Sequence, residues 1–339
     1  MNFKNYKMAE LYPLKFEPII KDKIWGGDAL VNHYGKKPAG LSNIGESWEL
    51  SAITDNLSVV SNGFLAGNNI EEIIEVYMGD ITGDSIFERF GNEFPLLIKF
   101  IEAGKDLSVQ VHPGNELAKE RHNANGKTEM WYILESKNHG KIYTGFSEPV
   151  TSEVYLDALN NNSIPDLLNV ETAEPGDTFF TPAGRIHAIG AGIVLVEIQQ
   201  TSDITYRVYD WGRTGVNGKP RELHTDLAMD TIDFSASGKT KTRFELKENK
   251  KENLVNCEFF TTNILKFNSQ VEKDYNMIDS FVVYICTEGK FLIRWENNSE
   301  VVSKGETVLL PAMIRNVVLD PDPDATLLEI YIATEKSTQ

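Results

Sequence analysis

The amino-acid sequence predicts a mainly β protein made of two related halves, with a few helices near the N-terminal half. Most of the chain consists of short apolar or alternating runs separated by Gly, Pro, Asn and Asp, which is typical of strands and turns. Helical spacing of apolar residues is confined to a few segments. An internal repeat relates the two halves, and a length of 339 residues also makes two domains the starting expectation.

The elements of the first half follow from these patterns in chain order. A helix is expected over 69–78, where Asn69 can cap the first turn and Glu72 occupies the capping-box position. Further helices are expected over 84–90 and 152–160, the last with a continuation over 164–169. Strands are expected over 96–101, 107–112, 130–134, 178–181 and 193–198. The helices interrupt a β body and do not form crossovers between parallel strands.

The internal repeat relates two segments of twelve residues. Gly176 to His187, GDTFFTPAGRIH, has the form G-x5-P-x-G-x2-H, and Gly305 to Asn316, GETVLLPAMIRN, follows the same frame 129 residues later. Strand-turn segments can look alike by chance, but six aligned features favour a true repeat. No histidine follows His224, so only the first half can contain a histidine-ligated metal if both halves share a fold.

The second half is also predicted to be β-rich. A strongly charged stretch, GKTKTRFELKENKKEN, spans 238–253 and is expected to be a solvated connector. We therefore predict a domain over 1–240, a charged connector over 241–253 and a second domain without metal ligands over 254–339. Strands of this second domain are expected over 254–267, 280–286, 290–295, 307–310, 316–319 and 325–332.

Composition and charge exclude several classes of protein. Lys and Arg number 33 and Asp and Glu 50, which gives a net charge of −17, whereas proteins that bind nucleic acid or anionic membrane surfaces present positive potential. No apolar run is long enough to span a bilayer, and the N-terminus shows no signal-peptide pattern. Cys257 and Cys286 are the only cysteines, which predicts a reducing, cytoplasmic location without a disulfide framework.

Four side chains form a candidate metal site. Side chains alternate across a strand, so Ser108, Gln110 and His112 share one face of the predicted strand in LSVQVHP. Glu129 lies in a second polar-apolar strand, and His187 follows the Pro-x-Gly turn of the repeat. Imidazole, carboxylate and amide groups together suit a divalent ion such as zinc, iron or nickel. Taken singly, each residue also fits an ordinary strand position.

Arg207 is a candidate anion-binding residue. It lies in an alternating strand, TYRVY, and an inward-facing arginine in a β-rich chain needs an anionic partner. A salt bridge to Glu197 or Asp203 would satisfy that need as well as a substrate would. Gly-Lys-Thr occurs at 126–128 and 238–240, but the glycine that a phosphate-binding P-loop requires is missing from both.

The motifs resemble one family of enzymes. LSVQVHP, GKTEMWYIL, FFTPAGRIHAIGAG and EIQQTSDITYRVYDWGR are similar to segments of type I mannose-6-phosphate isomerases, as are IWGG and GESWE near the N-terminus. The resemblance covers most of residues 15–235 and is weak beyond them. The compact connection from Glu129 to His187 resembles the short bacterial form of the family.

The resemblance implies a duplicated cupin, a jelly-roll β-barrel, with one zinc ion in the first barrel. It implies that Gln110, His112, Glu129 and His187 bind the zinc. It also implies an active-site Arg207, with Lys99, Ser108, Lys127 and Glu197 lining a sugar-phosphate pocket.

The implied activity is the interconversion of mannose 6-phosphate and fructose 6-phosphate through a cis-enediol(ate). Glu197, Lys127 and a zinc-bound water are the candidate proton-transferring bases. The negative net charge does not exclude an anionic substrate, because charges are screened within about 8 Å at physiological ionic strength. A cytoplasmic protein acting as a monomer or weak homodimer is expected.

Three other functions fit parts of the sequence. Another cupin isomerase, acting on glucose 6-phosphate, would share the barrel and the metal. A non-catalytic sugar-binding bicupin would have no need for a Lewis acid beside an arginine. A metal-dependent dioxygenase is disfavoured by Gln110, which stands where many cupins have the first histidine of His-x-His.

Overall fold

The computed structural model describes residues 10–37, 40–41, 43–215 and 218–333. The first nine residues, where we expected no signal peptide, and residues 334–339 of the predicted second domain lie outside the described residues. The fold is mainly β, as the sequence predicts. No helix in the described ranges is long and apolar enough to cross a membrane.

Twenty-two strands and eight helices are present in the described residues. The strands up to residue 242 are β1 (Leu14–Lys15), β2 (Ile19–Gly27), β3 (Ile44–Leu50), β4 (Ala52–Ile53), β5 (Asn56–Leu57), β6 (Leu96–Ala103), β7 (Val109–Val111), β8 (Glu129–Ser136), β9 (Lys141–Phe146), β10 (Leu168–Thr172), β11 (Thr178–Thr181), β12 (His187–Ile189), β13 (Ile193–Gln200), β14 (Tyr206–Tyr209) and β15 (Lys241–Thr242). Those beyond it are β16 (Lys250–Asn256), β17 (Thr261–Phe267), β18 (Val271–Asp274), β19 (Val282–Trp295), β20 (Asn298–Ser303), β21 (Thr307–Leu310) and β22 (Asn316–Tyr331). The helices are α1 (Ala29–Tyr34), α2 (Ile70–Tyr77), α3 (Gly79–Thr82), α4 (Asp84–Phe90), α5 (Asn115–His122), α6 (Ser152–Asn160), α7 (Ile164–Leu167) and α8 (Thr225–Met229).

Two antiparallel sheets form the first barrel. The larger sheet has the order β15-β11-β8-β13-β6-β3-β2, and the smaller has the order β10-β9-β12-β7-β14. Side chains from both sheets, among them Ile101 and Leu195 from the larger and Ile142 and Ile189 from the smaller, meet in one buried cluster between them. The outer face of the smaller sheet is covered by α6, α7 and α8 through a separate apolar cluster. This apolar cluster borders the polar end of the barrel, because Ile101 and Ile189 also line the cleft described below.

The second barrel is built from one sheet with the order β1-β21-β19-β22-β17-β16, with β20 paired to β19 and β18 paired to β22. Two features differ from the predicted organisation. The N-terminal strand β1 joins this sheet, and strands β15 and β16 occupy part of the predicted connector, 241–253. The charged residues of β16 stay exposed or half-buried, and the strand is held by its antiparallel pairing with β17 and by the burial of Leu254 and Val255. The boundaries of the two predicted domains stay a prediction.

The repeat has the same local geometry in both barrels. Gly176 and Gly305 both have a positive φ, of 92° and 84°, which favours glycine. In each copy a strand ends just before a proline, whose carbonyl accepts a hydrogen bond from the residue three positions later. The next strands, β12 and β22, then begin at His187 and at Asn316. Asn316 therefore occupies the position in its turn that His187 occupies in the first copy.

Candidate active site

The polar end of the first barrel brings together two rows of side chains that face one another. On the smaller sheet, Gln110 lies directly opposite His187 on one neighbouring strand and opposite Arg207 on the other. On the larger sheet, Glu197 lies opposite Lys99 on one side and Trp131 on the other. Strand register thus places residues that are up to 98 positions apart in the chain side by side.

Three of the predicted ligands form a buried cluster. One ligand atom each from His112, Glu129 and His187 lies within 4.8 Å of the others, and all three residues are buried. Gln110 lies beside them, with its Nε2 3.3 Å from Nε2 of His187. Since the nitrogen and oxygen of an amide are assigned from their surroundings, the Gln110 amide oxygen is equally available to a cation. The sequence predicted this grouping, and the register of β7, β8 and β12 produces it.

Backbone carbonyls orient both histidines. Nδ1 of His112 donates to the Ile204 carbonyl at 2.8 Å, and Nδ1 of His187 donates to the Arg185 carbonyl at 2.8 Å. A neutral imidazole with its proton on Nδ1 has a lone pair on Nε2, the arrangement that metal-binding histidines commonly show. Burial lowers the pKa of His112 well below its usual value and that of His187 to about 3, so both rings are neutral at pH 7.

Two acceptor atoms of this cluster, one from Glu129 and one from His187, face each other at short distance. Oε1 of Glu129 is buried without a hydrogen-bond partner, and Nε2 of His187, which carries a lone pair, lies 3.2 Å from it. Burial, together with the charge of Glu197, raises the pKa of Glu129 to about 7. A buried, unpaired acceptor is costly unless a cation satisfies it. The residues therefore fit a divalent metal ion.

Two lysines bind the carboxylates that line the site. Nζ of Lys127 donates to Oε2 of Glu129 and lies 3.9 Å from Oε1 of Glu197. Nζ of Lys99 lies 3.0 Å from the same Glu197 oxygen and donates to Oε1 of Gln199 at 2.7 Å. The other Glu197 oxygen accepts a bond of 2.9 Å from the Trp131 indole. Burial raises the pKa of Glu197, but Lys127 and Lys99 outweigh it and hold the value at about 2.

Arg207 forms neither of the two ion pairs that were alternatives to a substrate. Its NH1 donates to the Glu222 carbonyl at 2.9 Å, while its buried Nε has no hydrogen-bond partner. Among the described residues no carboxylate lies within 4.0 Å of its guanidinium group. Burial, and then Arg221, lower its pKa from the usual value. This arginine therefore has donor capacity left for an anionic group in the site.

These residues open into a cleft of about 490 Å³ between the two sheets. Its lining includes Lys99, Ser108, Gln110, Lys127, Glu197 and Arg207, so the predicted pocket residues lie together. Ser108 is buried, with its Oγ 3.5 Å from Oε1 of Gln110.

The cleft also contains side chains to which the sequence assigned no role, namely Lys21, Lys23, Trp25, Glu46, Trp48, Asn56 and Arg221. Polar residues alternate in IIKDKIW of β2 and in GESWEL of β3. This alternation could have identified both strands as walls of the site.

A buried ligand set in one of two barrels defines a cupin protein with a candidate metal site. The family model for the catalytic domain of type I phosphomannose isomerase matches residues 13–140. A mannose-6-phosphate isomerase of Bacillus subtilis is 33% identical over 305 residues, which are 88% of this chain and 93% of the relative. One of Streptococcus mutans is 32% identical over 93% of this chain and 96% of its own. The chain belongs to the type I mannose-6-phosphate isomerase family.

Solved structures show the same fold. The crystal structure of a mannose 6-phosphate isomerase from Bacillus subtilis has a TM-score of 0.84 and 30% identity, covering 94% of this chain and 99% of that one. A phosphomannose isomerase variant from Salmonella typhimurium has a TM-score of 0.76 at 19% identity, over 96% of this chain. These matches confirm the double-barrel fold that the resemblance implied.

Proposed function

We propose that this protein interconverts mannose 6-phosphate and fructose 6-phosphate through a cis-enediol(ate). Its relatives over most of the chain carry the name mannose-6-phosphate isomerase. The observation that carries the proposal is the cleft in which an arginine without a carboxylate partner lies directly opposite one of the candidate metal ligands. Developing negative charge on the substrate oxygens requires this kind of fixed, buried cationic group.

We propose that one zinc ion is bound by Gln110, His112, Glu129 and His187. This set carries one negative charge, so a bound zinc would retain net positive charge and act as a Lewis acid toward the oxygens on C1 and C2. The unpaired Glu129 oxygen and the protonation of both histidines on Nδ1, which leaves each Nε2 able to bind a metal, support this ligand set.

The chain's own residues orient the sugar and hold its charge. Arg207 would donate to the enediolate oxygens from the smaller sheet, while Lys127 approaches the same region from the segment just before β8. Glu197 was a predicted base, but a carboxylate with a pKa of about 2 is a poor proton acceptor at neutral pH. We therefore assign it the positioning of Lys99 and Lys127.

We also propose that the two barrels are two structural domains packed on a shared apolar layer, that the chain is a monomer or weak homodimer, and that it is cytoplasmic. The two free thiols, Cys257 and Cys286, fit a reducing compartment.

The proposed activity is tested by removing metal from the purified protein, restoring it with zinc, and measuring interconversion of mannose 6-phosphate and fructose 6-phosphate. Glucose 6-phosphate is the control sugar. We expect metal-dependent turnover of the mannose compound only. Preferential turnover of glucose 6-phosphate, oxygen uptake, or sugar binding without isomerisation would each replace this proposal with one of the other three functions.

A further inference from the structure

The cations of the cleft differ in whether a carboxylate already neutralises them. Four of the six that line it are paired: Lys99 with Glu197, Lys127 with Glu129, Lys23 with Glu46, and Arg221 with Asp210. The remaining two, Arg207 and Lys21, have no carboxylate within 4.0 Å among the described residues. An anionic ligand gains most from a cation that has no competing partner.

The two unpaired cations lie at different depths. Arg207 is directly opposite Gln110, so it belongs to the reacting end of the site. Lys21 is on β2, at the edge of the larger sheet and four strands away from β8, which carries Glu129. Neighbouring strands are about 4.8 Å apart, so Lys21 is well removed from the metal ligands along the cleft. In the substrate, the phosphate on C6 is likewise the group farthest from the reacting C1 and C2.

The surroundings of Lys21 fit an anion site. Its Nζ donates to the Asn56 side chain and lies 4.7 Å from the ring centroid of Trp48. The Nζ of Lys99 lies 5.3 Å from the same ring, so the same indole contacts both lysines. Partial burial, and then the nearby Lys23, lower the pKa of Lys21. A phosphate dianion would relieve the repulsion between these two lysines.

We propose that Lys21 binds the phosphate group of the substrate at the mouth of the cleft, with Asn56 orienting the ammonium group. This rests on the proposed function for the identity of the sugar, but not for the presence of an anion site. It places the phosphate apart from Lys99 and Lys127, which are held by the carboxylates near the metal ligands. Lys21 is then a determinant of specificity for phosphorylated sugars.

The test compares Lys21→Met and Lys21→Arg with wild type and with Lys105→Met, an exposed lysine outside the cleft. Binding of inorganic phosphate to the zinc-loaded protein is measured by calorimetry, and KM and kcat are measured with mannose 6-phosphate. Loss of a charge-assisted hydrogen bond predicts a Kd and a KM about tenfold to a hundredfold higher in Lys21→Met. We expect kcat within about twofold of wild type. Lys21→Arg should retain most of the binding, and Lys105→Met all of it.

The outcomes separate the two proposals. Phosphate binding in wild type that is lost in Lys21→Met supports the site even if no sugar phosphate is isomerised, in which case only the proposed function fails. Isomerisation with an unchanged KM and phosphate Kd in Lys21→Met overturns the inference and leaves the function intact. An equal loss in Lys105→Met, or a lower kcat at constant KM in Lys21→Met, also overturns it.

Discussion

Each buried histidine of the site is fixed in one tautomer by a backbone carbonyl close to it in space. Because Ile204 and Arg185 accept from Nδ1, both Nε2 atoms carry lone pairs. That of His187 lies 3.2 Å from Oε1 of Glu129, whereas that of His112 accepts from Nζ of Lys127 at 3.0 Å and lies 3.6 Å from Oε2 of Glu129. The side chains alone do not determine this arrangement. The backbone path at two turns is therefore part of the candidate metal site.

Metal content should depend on these two residues. We expect about one tightly bound divalent ion per chain, lost in His112→Ala and in His187→Ala, since a metal site that loses one of its few ligands loses most of its affinity. Elemental analysis of the purified proteins checks this. Two ions per chain, or full occupancy in the double variant, would contradict a single site in the first barrel.

Arg207→Lys should damage chemistry more than binding. Lysine retains the charge but loses the planar fork of donors, so the change is not conservative. If the guanidinium group stabilises the enediolate, kcat and kcat/KM should fall by similar factors, on the order of a hundredfold, with KM little changed.

Steady-state kinetics with mannose 6-phosphate measure these constants, and metal content should stay intact. A near wild-type kcat would remove Arg207 from the mechanism.

The ligands could be predicted from the sequence because they lie on short strands where alternation fixes their direction. Strand β7 is shorter than predicted and contains only Gln110 of the three, but Ser108 and Gln110 line the cleft and His112 lies in the ligand cluster beside them. Lys21 could not be predicted in the same way. Its place in the cleft depends on the pairing of β2 with β3 and of β3 with β6, which are contacts between distant segments.

At the scale of elements, capping residues and apolar patterns predicted the ends of some helices and strands correctly and missed the ends of others. The capping box of Asn69 and Glu72 forms, and α4, α6, β11 and β21 have the predicted bounds. The predicted pairs of strands in the second half merge into β19 and β22. Bulges in the β19–β22 pair, between Cys286 and Glu288 and between Gly289 and Phe291, keep the chain in the sheet across the predicted breaks.

The second barrel has a buried glutamate at the position of Glu197. Glu329 lies opposite Tyr284 in the pairing that sets Glu197 opposite Trp131. Its oxygens accept from Tyr275 at 2.6 Å and from Asn263 at 3.0 Å, and Lys273 lies 2.5 Å away. The charge of Glu329 is therefore neutralised by Lys273 inside the second barrel. Where the first barrel has a candidate ligand site, the second has an internal ion pair.

Lys273→Met should destabilise the protein because it leaves Glu329 without its closest cation. Removing one partner of a buried pair commonly costs about 3–5 kcal/mol. In wild type, burial raises the pKa of Glu329, but Lys273 and Lys251 outweigh it and the pKa is lowered. The stabilisation from Glu329 is therefore complete above the unfolded carboxyl pKa of about 4.3 and is lost as the pH falls through the lower folded value.

The deficit of Lys273→Met should accordingly be largest at neutral pH and shrink below pH ~4, where Glu329 accepts a proton. Urea denaturation at several pH values measures it. Lys266→Met is the matched control, because Lys266 pairs with Glu248 at the surface, 3.7 Å away, and surface pairs contribute about 0–1 kcal/mol. Equal losses in both variants would contradict the prediction.

At the scale of the whole molecule, one apolar cluster joins the two barrels. It contains Ile98 and Phe100 of β6, helical residues such as Ile73, and Phe281 and Leu328 from the second half. The Phe94 and Phe281 rings are 4.5 Å apart. Main-chain hydrogen bonds cross the boundary too, since Phe281 donates to the carbonyl of Thr82 at 3.0 Å. The helices α2 to α4 therefore act as a layer shared by both barrels.

A shared core predicts that the barrels unfold together. Phe281→Ala removes a fully buried ring from this core, which should cost about 3–5 kcal/mol. Phe267→Ala is the matched control, because Phe267 is equally buried but belongs to the cluster inside the second barrel. If the protein unfolds as a single cooperative unit, each variant lowers the temperature of one shared unfolding transition. Zinc bound to the first barrel would then raise the temperature of that transition for both barrels.

Calorimetry with and without zinc counts the transitions, and hydrogen exchange reports each barrel separately. We expect one transition in every variant and equal protection losses in β13 and in β19 after either substitution. If Phe267→Ala instead weakens protection in β19 alone while β13 keeps its wild-type value, the barrels unfold independently. The apolar layer between them would then be a contact between separate folding units, and zinc would stabilise only the first.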